Sequence, residues 1–147
     1  MSRLTVIATS FQEDSPSTQK ARVVAEDATG AATGQPGEGN WVKVADLSTI
    51  TCAIYDRNST TPDVAVLSPA VTVATAIQDV PVTTNAVWTA DGLGAVIGWN
   101  FTHEVPGTAF PTGGHLYWVE YTFTPTAGAG YASHIRFEGI ASPVVGS

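Results

Sequence analysis

Cysteine occurs once in the 147 residues, at Cys52, which rules out an internal disulfide and a thiolate-only metal site built from this chain. Basic residues are nearly as scarce. Arg3, Lys20, Arg22, Lys43, Arg57 and Arg136 are the full set, scattered along the chain against 13 acidic residues, for a formal net charge of −7. A phosphate backbone is bound through clustered Lys and Arg that release counterions, so no nucleic acid partner is expected. Charged residues make up only 13% of the chain, a mild surface more typical of proteins that work in assemblies than of free, heavily solvated ones. No apolar run reaches bilayer length, so no membrane association is expected. The opening Met1-Ser2-Arg3-Leu4-Thr5-Val6 carries no apolar stretch of signal-peptide length, and cytoplasmic synthesis is the expectation.

Reactive motifs are missing as well. The chain has no Gly-x-x-x-x-Gly-Lys-[Ser/Thr] loop, no Gly-x-Ser-x-Gly elbow and no His-Glu-x-x-His pair, which are the spacings that cradle phosphate, expose a nucleophile or bind zinc. His103, His115 and His134 fall in separate segments and read as surface or interface groups rather than a ligand set. His103 and Glu104 are adjacent on an alternating segment and point to opposite faces, so they do not form an acid/base pair. Glu104, Glu120 and Glu138 take outward positions, unlike the converging carboxylates of a glycosidase. Acids beside turns, at Glu26-Asp27, Asp56 and Asp91, lack the calcium-loop pattern. Neither an enzyme nor a cofactor is expected.

What is present is β-sheet. Between Asn85 and Ile140 lie Trp88, Trp99, Phe101, Tyr117, Trp118, Tyr121, Phe123, Tyr131 and Phe137, cut by Asp91-Gly92, Pro106-Gly107, Thr112-Gly113-Gly114 and Gly128-Ala129-Gly130. Aromatic, alternating segments between such breakers predict strands. Leu4 to Thr9 predicts a first strand or an extended arm, Ser10 to Thr18 a connection, and Lys20 to Glu26 a second strand. Asp27 to Asn40 is Gly-rich and predicts a long loop. In Thr49 to Asp56, Cys52 alternates in step with Ile50 and Ile54 and is expected to be a buried small hydrophobe. Val71 to Gln78 tolerates helix, although its β-branched residues favour strand. Trp99, Phe101, His103 and Val105 share one side. Tyr117, Val119, Tyr121 and Phe123 form a core face that leaves Trp118 on the other, and Ile135 and Phe137 point inward. Short strands at this spacing predict an all-β, antiparallel, immunoglobulin-like β-sandwich with an extended N-terminal arm and a long Gly-rich loop. The expected layout is an arm or first strand over 1–18, a sandwich over 19–141 and a tail over 142–147; a jelly roll or small barrel is the next choice.

The segments Glu26 to Gly30, Thr49 to Asp56 ("TITCAIYD"), Trp88 to Phe101 ("WTADGLGAVIGWNF"), Gly114 to Thr124 ("GHLYWVEYTFT") and His134 to Ile140 follow one another in an order that resembles immunoglobulin-like virion proteins of tailed phages. The likeness covers about two thirds of the chain; the turn Ala95-Val96-Ile97-Gly98 and the Gly-rich stretch depart from it. It implies a non-enzymatic virion structural protein, foremost a capsid decoration (cement) protein on the outer surface of the head. Its implied partner is the major capsid protein, with self-association as a homotrimer. A tail, neck or baseplate component is the alternative, and a carbohydrate-binding or host-recognition module, stacking sugars on Trp88, Trp99 or Trp118, is the second. Arg3, Leu4, Phe11, Trp41 and Trp118 are the candidate interface residues, with the N-terminal arm, the Gly-rich loop, the Ala95 to Gly98 turn and the tail reaching neighbouring subunits.

Overall fold

The computed structural model describes residues 4–21, 23, 42–82, 99–126 and 133–143. Within them the chain forms eight strands: β1 (Leu4–Ala8), β2 (Phe11–Gln12), β3 (Ser17–Ala21), β4 (Leu47–Asp56), β5 (Ile77–Val82), β6 (Trp99–Val105), β7 (Leu116–Pro125) and β8 (Ser133–Ser142). A single helical turn, α1 (Val73–Ala76), precedes β5, and short 3-10 turns occupy Val44–Asp46 and Gly107–Ala109. The strands build two sheets. One has the order β1-β8-β7-β4, with β2 also on β8, and the other has the order β3-β6-β5. The all-β, two-layer architecture is the one the alternation predicts.

Period-two alternation places the core. Tyr117, Val119, Tyr121 and Phe123 of β7 are buried, as are Ile50, Cys52 and Ile54 of β4 and Ile135 and Phe137 of β8. From the facing sheet, Phe101 of β6 meets Tyr121 and Phe123 edge-on, with centroids 4.8 and 5.1 Å apart. Tyr121 in turn meets the edge of Phe137 at 6.0 Å. Edge-to-face packing sets the positive rim of one ring against the negative face of the next, which fixes the separation of the layers more sharply than burial alone.

Of the two forms expected for the N-terminal segment, a first strand or an extended arm, the chain takes the strand, β1 (Leu4–Ala8). Residues 4–18 are not an arm that leaves the body. β1 and β2 add in parallel to one edge of β8, pairing Leu4 to Ala8 with His134 to Glu138 and Phe11 with Ala141. The physical reason is twofold: Ile7 and Phe11 carry apolar area into the core, and the edge of β8 offers main-chain groups that need partners. Between the two pairings the chain jogs at Thr9, whose N–H donates to the Glu138 carbonyl at 2.8 Å. A Cβ at Gly139 would collide with the Thr9 carbonyl, so glycine is required there. A turn at Glu13-Asp14, with Asp14 at φ 55, then carries the chain to β3 in the other sheet, where Ser17 to Ala21 pair with Val105 to Phe101. The expected connection over Ser10 to Thr18 therefore contains β2 and the start of β3.

Two further details differ. Val71 to Gln78 is not one strand: the N–H groups of Thr75 and Ala76 both donate to the Thr72 carbonyl, closing the helical turn that buries Ala76 before β5 begins. Propensity is balanced between the alanines at 74 and 76 and their β-branched neighbours, and burial of Ala76 tips the segment to the turn. Asn100, placed by alternation on the side away from Phe101, is fully buried. Its Oδ1 accepts from the Val23 N–H at 2.7 Å, and its Nδ2 donates to the carbonyls of Val23 and Val42, each at 2.9 Å. One side chain thus supplies the main-chain partners of two segments that approach the back of β6. The Gly-rich stretch over 27–40, the turn over 95–98 and the tail over 144–147 lie outside the described residues.

Candidate functional site

The outer side of the β1-β8-β7-β4 sheet carries a centre that alternation foretold only in part. Trp118 stands there, opposite Tyr55 of β4 on one flank and Glu138 of β8 on the other. From the β4 flank the Arg57 guanidinium closes to 4.0 Å of the ring centroid, and from the β8 flank the Arg136 guanidinium closes to 3.7 Å. Cations this near an indole are drawn to its negative faces, each contact contributing about 0.5–2 kcal/mol according to how far water is excluded. Carboxylates hold the arginines in turn. Arg136 Nε donates to Glu120 at 2.7 Å and its Nη1 to Glu138 at 3.4 Å. Arg57 Nη1 donates to Asp63 at 2.9 Å and to the Pro62 carbonyl at 2.7 Å.

Beside this ladder Tyr55, Arg57, Asp63, Trp118 and Glu120 line an open groove of about 220 Å³. Among the described residues, the Trp118 indole Nε1–H is the buried side-chain polar group with no hydrogen-bond partner, a condition that costs about 1–3 kcal/mol. Apolar side chains flank the face: Val64 is 63% exposed, Ile140 58% and Val6 50%.

The remaining ionisable groups serve the fold. His103 Nε2 lies 3.2 Å from the Ala70 carbonyl and Nδ1 lies 2.8 Å from the Tyr121 hydroxyl. With Nε2–H donating to the carbonyl, Nδ1 accepts the tyrosine hydrogen, and Tyr121 also hydrogen-bonds Cys52. Burial lowers the His103 pKa below 6.5 against the opposing pull of the Ala70 carbonyl and Glu104. Burial likewise raises the Cys52 thiol to about 12 and pushes the Tyr121 phenol well up, so both stay protonated and unreactive. His115 Nδ1 donates to both oxygens of the buried Asp56 carboxylate, at 2.8 and 2.9 Å, and the Asn58 N–H donates to the same group. The Tyr117 hydroxyl accepts from the Thr112 N–H at 2.9 Å and donates to the Thr112 carbonyl at 3.3 Å, pinning the approach to β7. His134 Nδ1 lies 3.2 Å from the Thr122 hydroxyl. The three histidines do not converge, and no group of three potential ligands among the described residues is placed to hold a metal ion.

Of the expected interface residues, only Trp118 lies on this face with a described side chain. Phe11 is corrected to a core residue: it is buried and stacks on Phe110 with centroids 4.4 Å apart, because β2 is drawn into the sheet edge. Leu4 is placed by its main chain in β1, opposite His134. Arg3 and Trp41 lie outside the described residues, as does Trp88.

No protein-family model, curated protein or solved structure matches this chain. Arg57, Asp63, Glu120, Arg136 and Glu138 were not singled out from sequence as partners of Trp118. Alternation put Trp118 and Glu120 on one side of β7, but pairing Arg136 with Glu120 needs the β7–β8 register, and Arg57 belongs to a turn. No helix among the described residues is long and apolar enough to cross a membrane.

Proposed function

We propose that this chain is a non-enzymatic structural protein of a tailed-phage particle, a decoration (cement) protein that sits as a homotrimer on the outer capsid surface and binds the major capsid protein. The observation that carries this reading is the Trp118 ladder. Aromatic and arginine side chains, prearranged at the centre of a sheet face, are the residue types that dominate binding energy at protein interfaces. Ordering them before contact reduces the entropy lost on binding. The strand order, with β1 parallel to β8 and a tyrosine pinned to the main chain ahead of β7, favours an immunoglobulin-type sandwich, in keeping with the sequence resemblance to phage virion proteins.

Function in this reading is stabilisation by mass action. A subunit that binds the mature lattice and not its disrupted form lowers the free energy of the former, and weak contacts repeated by symmetry add up. The sugar-stacking alternative is disfavoured at Trp118, where the guanidinium groups occupy the surface a pyranose would need.

Counting copies per purified particle by quantitative mass spectrometry tests the proposal. Hundreds of copies are expected for a capsid subunit. A count near a dozen moves the protein to the neck, tail or baseplate, and absence from particles overturns the virion reading altogether.

A further inference from the structure

We propose that β1 is a self-pairing edge: it lies antiparallel to β1 of a second copy across a twofold axis and joins the two β1-β8-β7-β4 sheets into one. The main chain shows which groups are available. β1 runs on β8 in parallel register from Leu4 to Ala8, and beyond it the Thr9 N–H donates to the Glu138 carbonyl. Successive residues of a strand turn their N–H and C=O to opposite sides. Thr5 and Ile7 therefore bond β8 as Thr9 does, whereas the N–H and C=O of Leu4, Val6 and Ala8 face away from it. β1 ends its sheet, and no strand among the described residues takes up these groups.

Of the four sheet edges among the described strands, this one alone is unguarded. Edges are kept from pairing with other chains by charge, proline, irregular register or a covering segment. β3 carries Lys20, and β5 carries Asp79, Pro81 and a register shift between Ile77 and Val82. β4 shifts register between Leu47 and Thr49. Its outer side is also bonded by a following segment, where the Val66 N–H donates to the Ile54 carbonyl and the Ile54 N–H to the Leu67 carbonyl. β1 has no charged residue, no proline and no break in register. Val6 is 50% exposed, and Ala8 is exposed as well.

A second copy is the occupant that fits. Foreign strands are selected at an edge by pockets for alternate side chains, and here the exposed side chains are a valine and an alanine. With the register centred on Val6, Val6 meets Val6 of the second copy and Ala8 meets Leu4. Each is a pair that exchanges two main-chain hydrogen bonds. Charge does not oppose the contact, although the chain carries −7 overall. The charged residues set beside the strand are Arg136, opposite Val6, and Glu138, opposite Ala8, both one strand back. Like charges of the two copies are then at least three strand spacings, about 14 Å, apart, beyond the screening length of about 8 Å at physiological ionic strength. The contact goes beyond the decoration reading and is compatible with a trimer, in which it joins one trimer to the next.

Sedimentation velocity of the full chain from about 10 µM to about 1 mM tests this, the range in which a contact smaller than a standard interface dissociates. The mass is expected to double with concentration, from monomer to dimer or from trimer to hexamer, and to stop there because a twofold contact closes on itself. Amide hydrogen exchange locates the contact. The N–H groups of Val6 and Ala8 should exchange more slowly as concentration rises, while those of Thr5 and Ile7, already bonded to β8, should not change. Val6→Pro removes an outward N–H and keeps the bonds to β8, and it should abolish doubling. Val6→Lys sets like charges opposite each other at the twofold axis and should weaken doubling about tenfold. Both should keep the wild-type circular dichroism spectrum; if the proline variant does not, the lysine variant decides.

A mass that stays constant to the highest concentration overturns the edge contact. So does growth into open-ended fibres, doubling that survives the lysine substitution, or doubling that leaves exchange at Val6 and Ala8 unchanged. A chain abundant on particles that does not double defeats the contact and leaves the decoration reading standing; a chain that doubles but is absent from particles does the reverse.

Discussion

Both sides of β7 carry aromatic rings and hold them by different forces. Inward, Tyr117, Tyr121 and Phe123 are enclosed by other rings and aliphatic groups, and their polar atoms are matched inside the fold, as Tyr121 is by His103 and Cys52. Outward, one residue away, Trp118 is enclosed by charge: two guanidinium groups on the indole, three carboxylates behind them and an N–H without a partner. An aromatic ring in the core is fixed by dispersion and edge-to-face geometry, which exclude alternatives. A ring fixed by half-buried cations near the surface sits in an arrangement that salt, substitution or a competing partner can exchange. The inner side therefore defines the fold, and the outer side is the one suited to recognition.

Substitutions on the two sides should separate accordingly. The largest effect is expected from Phe101→Ala, which empties the space between Tyr121 and Phe123. A loss of about 3–5 kcal/mol in urea-unfolding stability should follow, and a loss below 1 kcal/mol would mean that the two sheets do not depend on this ring.

Trp118→Ala should cost far less, about 1–2 kcal/mol from the lost cation–π contacts, with an unchanged far-ultraviolet circular dichroism spectrum. If it unfolds the chain as readily as Phe101→Ala, the distinction between the two sides of β7 collapses. The same variant should nonetheless be depleted from purified particles.

The smallest effect concerns acidity. Burial holds the folded-state pKa of His103 below 6.5, so the unfolded chain takes up the proton first. The associated stability is complete above pH 6.5, declines as the pH falls below it, and is gone once the folded-state value has been passed. In urea melts, wild type should lose more stability than His103→Gln over that window. Equal slopes would remove His103 from the account of how the inner side is held.

Much of the inner side was legible in the residues. Tyr117, Val119, Tyr121 and Phe123 on one side of a strand, Ile135 and Phe137 on another, and Cys52 between Ile50 and Ile54 are all buried as alternation required, because side chains in a strand project with period two wherever the strand lies. The helical turn at Val73–Ala76 was not legible. Four residues carry too weak a local preference, and the choice fell to the burial of Ala76. Phe11 was misread for a related reason: its segment has the composition of a connection, and only the open edge of β8 recruits it as a strand.

Residue order alone determined that this chain is β-rich, acidic and poor in reactive groups, with rings placed to fill the space between two sheets and one tryptophan excluded from it. Only the tertiary structure decided what that tryptophan meets. Arg57, Asp63, Glu120, Arg136 and Glu138 come from two strands and two turns, and their convergence is set by strand register and long-range pairing. Periodicity along a single strand reports which way a side chain faces and carries no information about its neighbours on other strands.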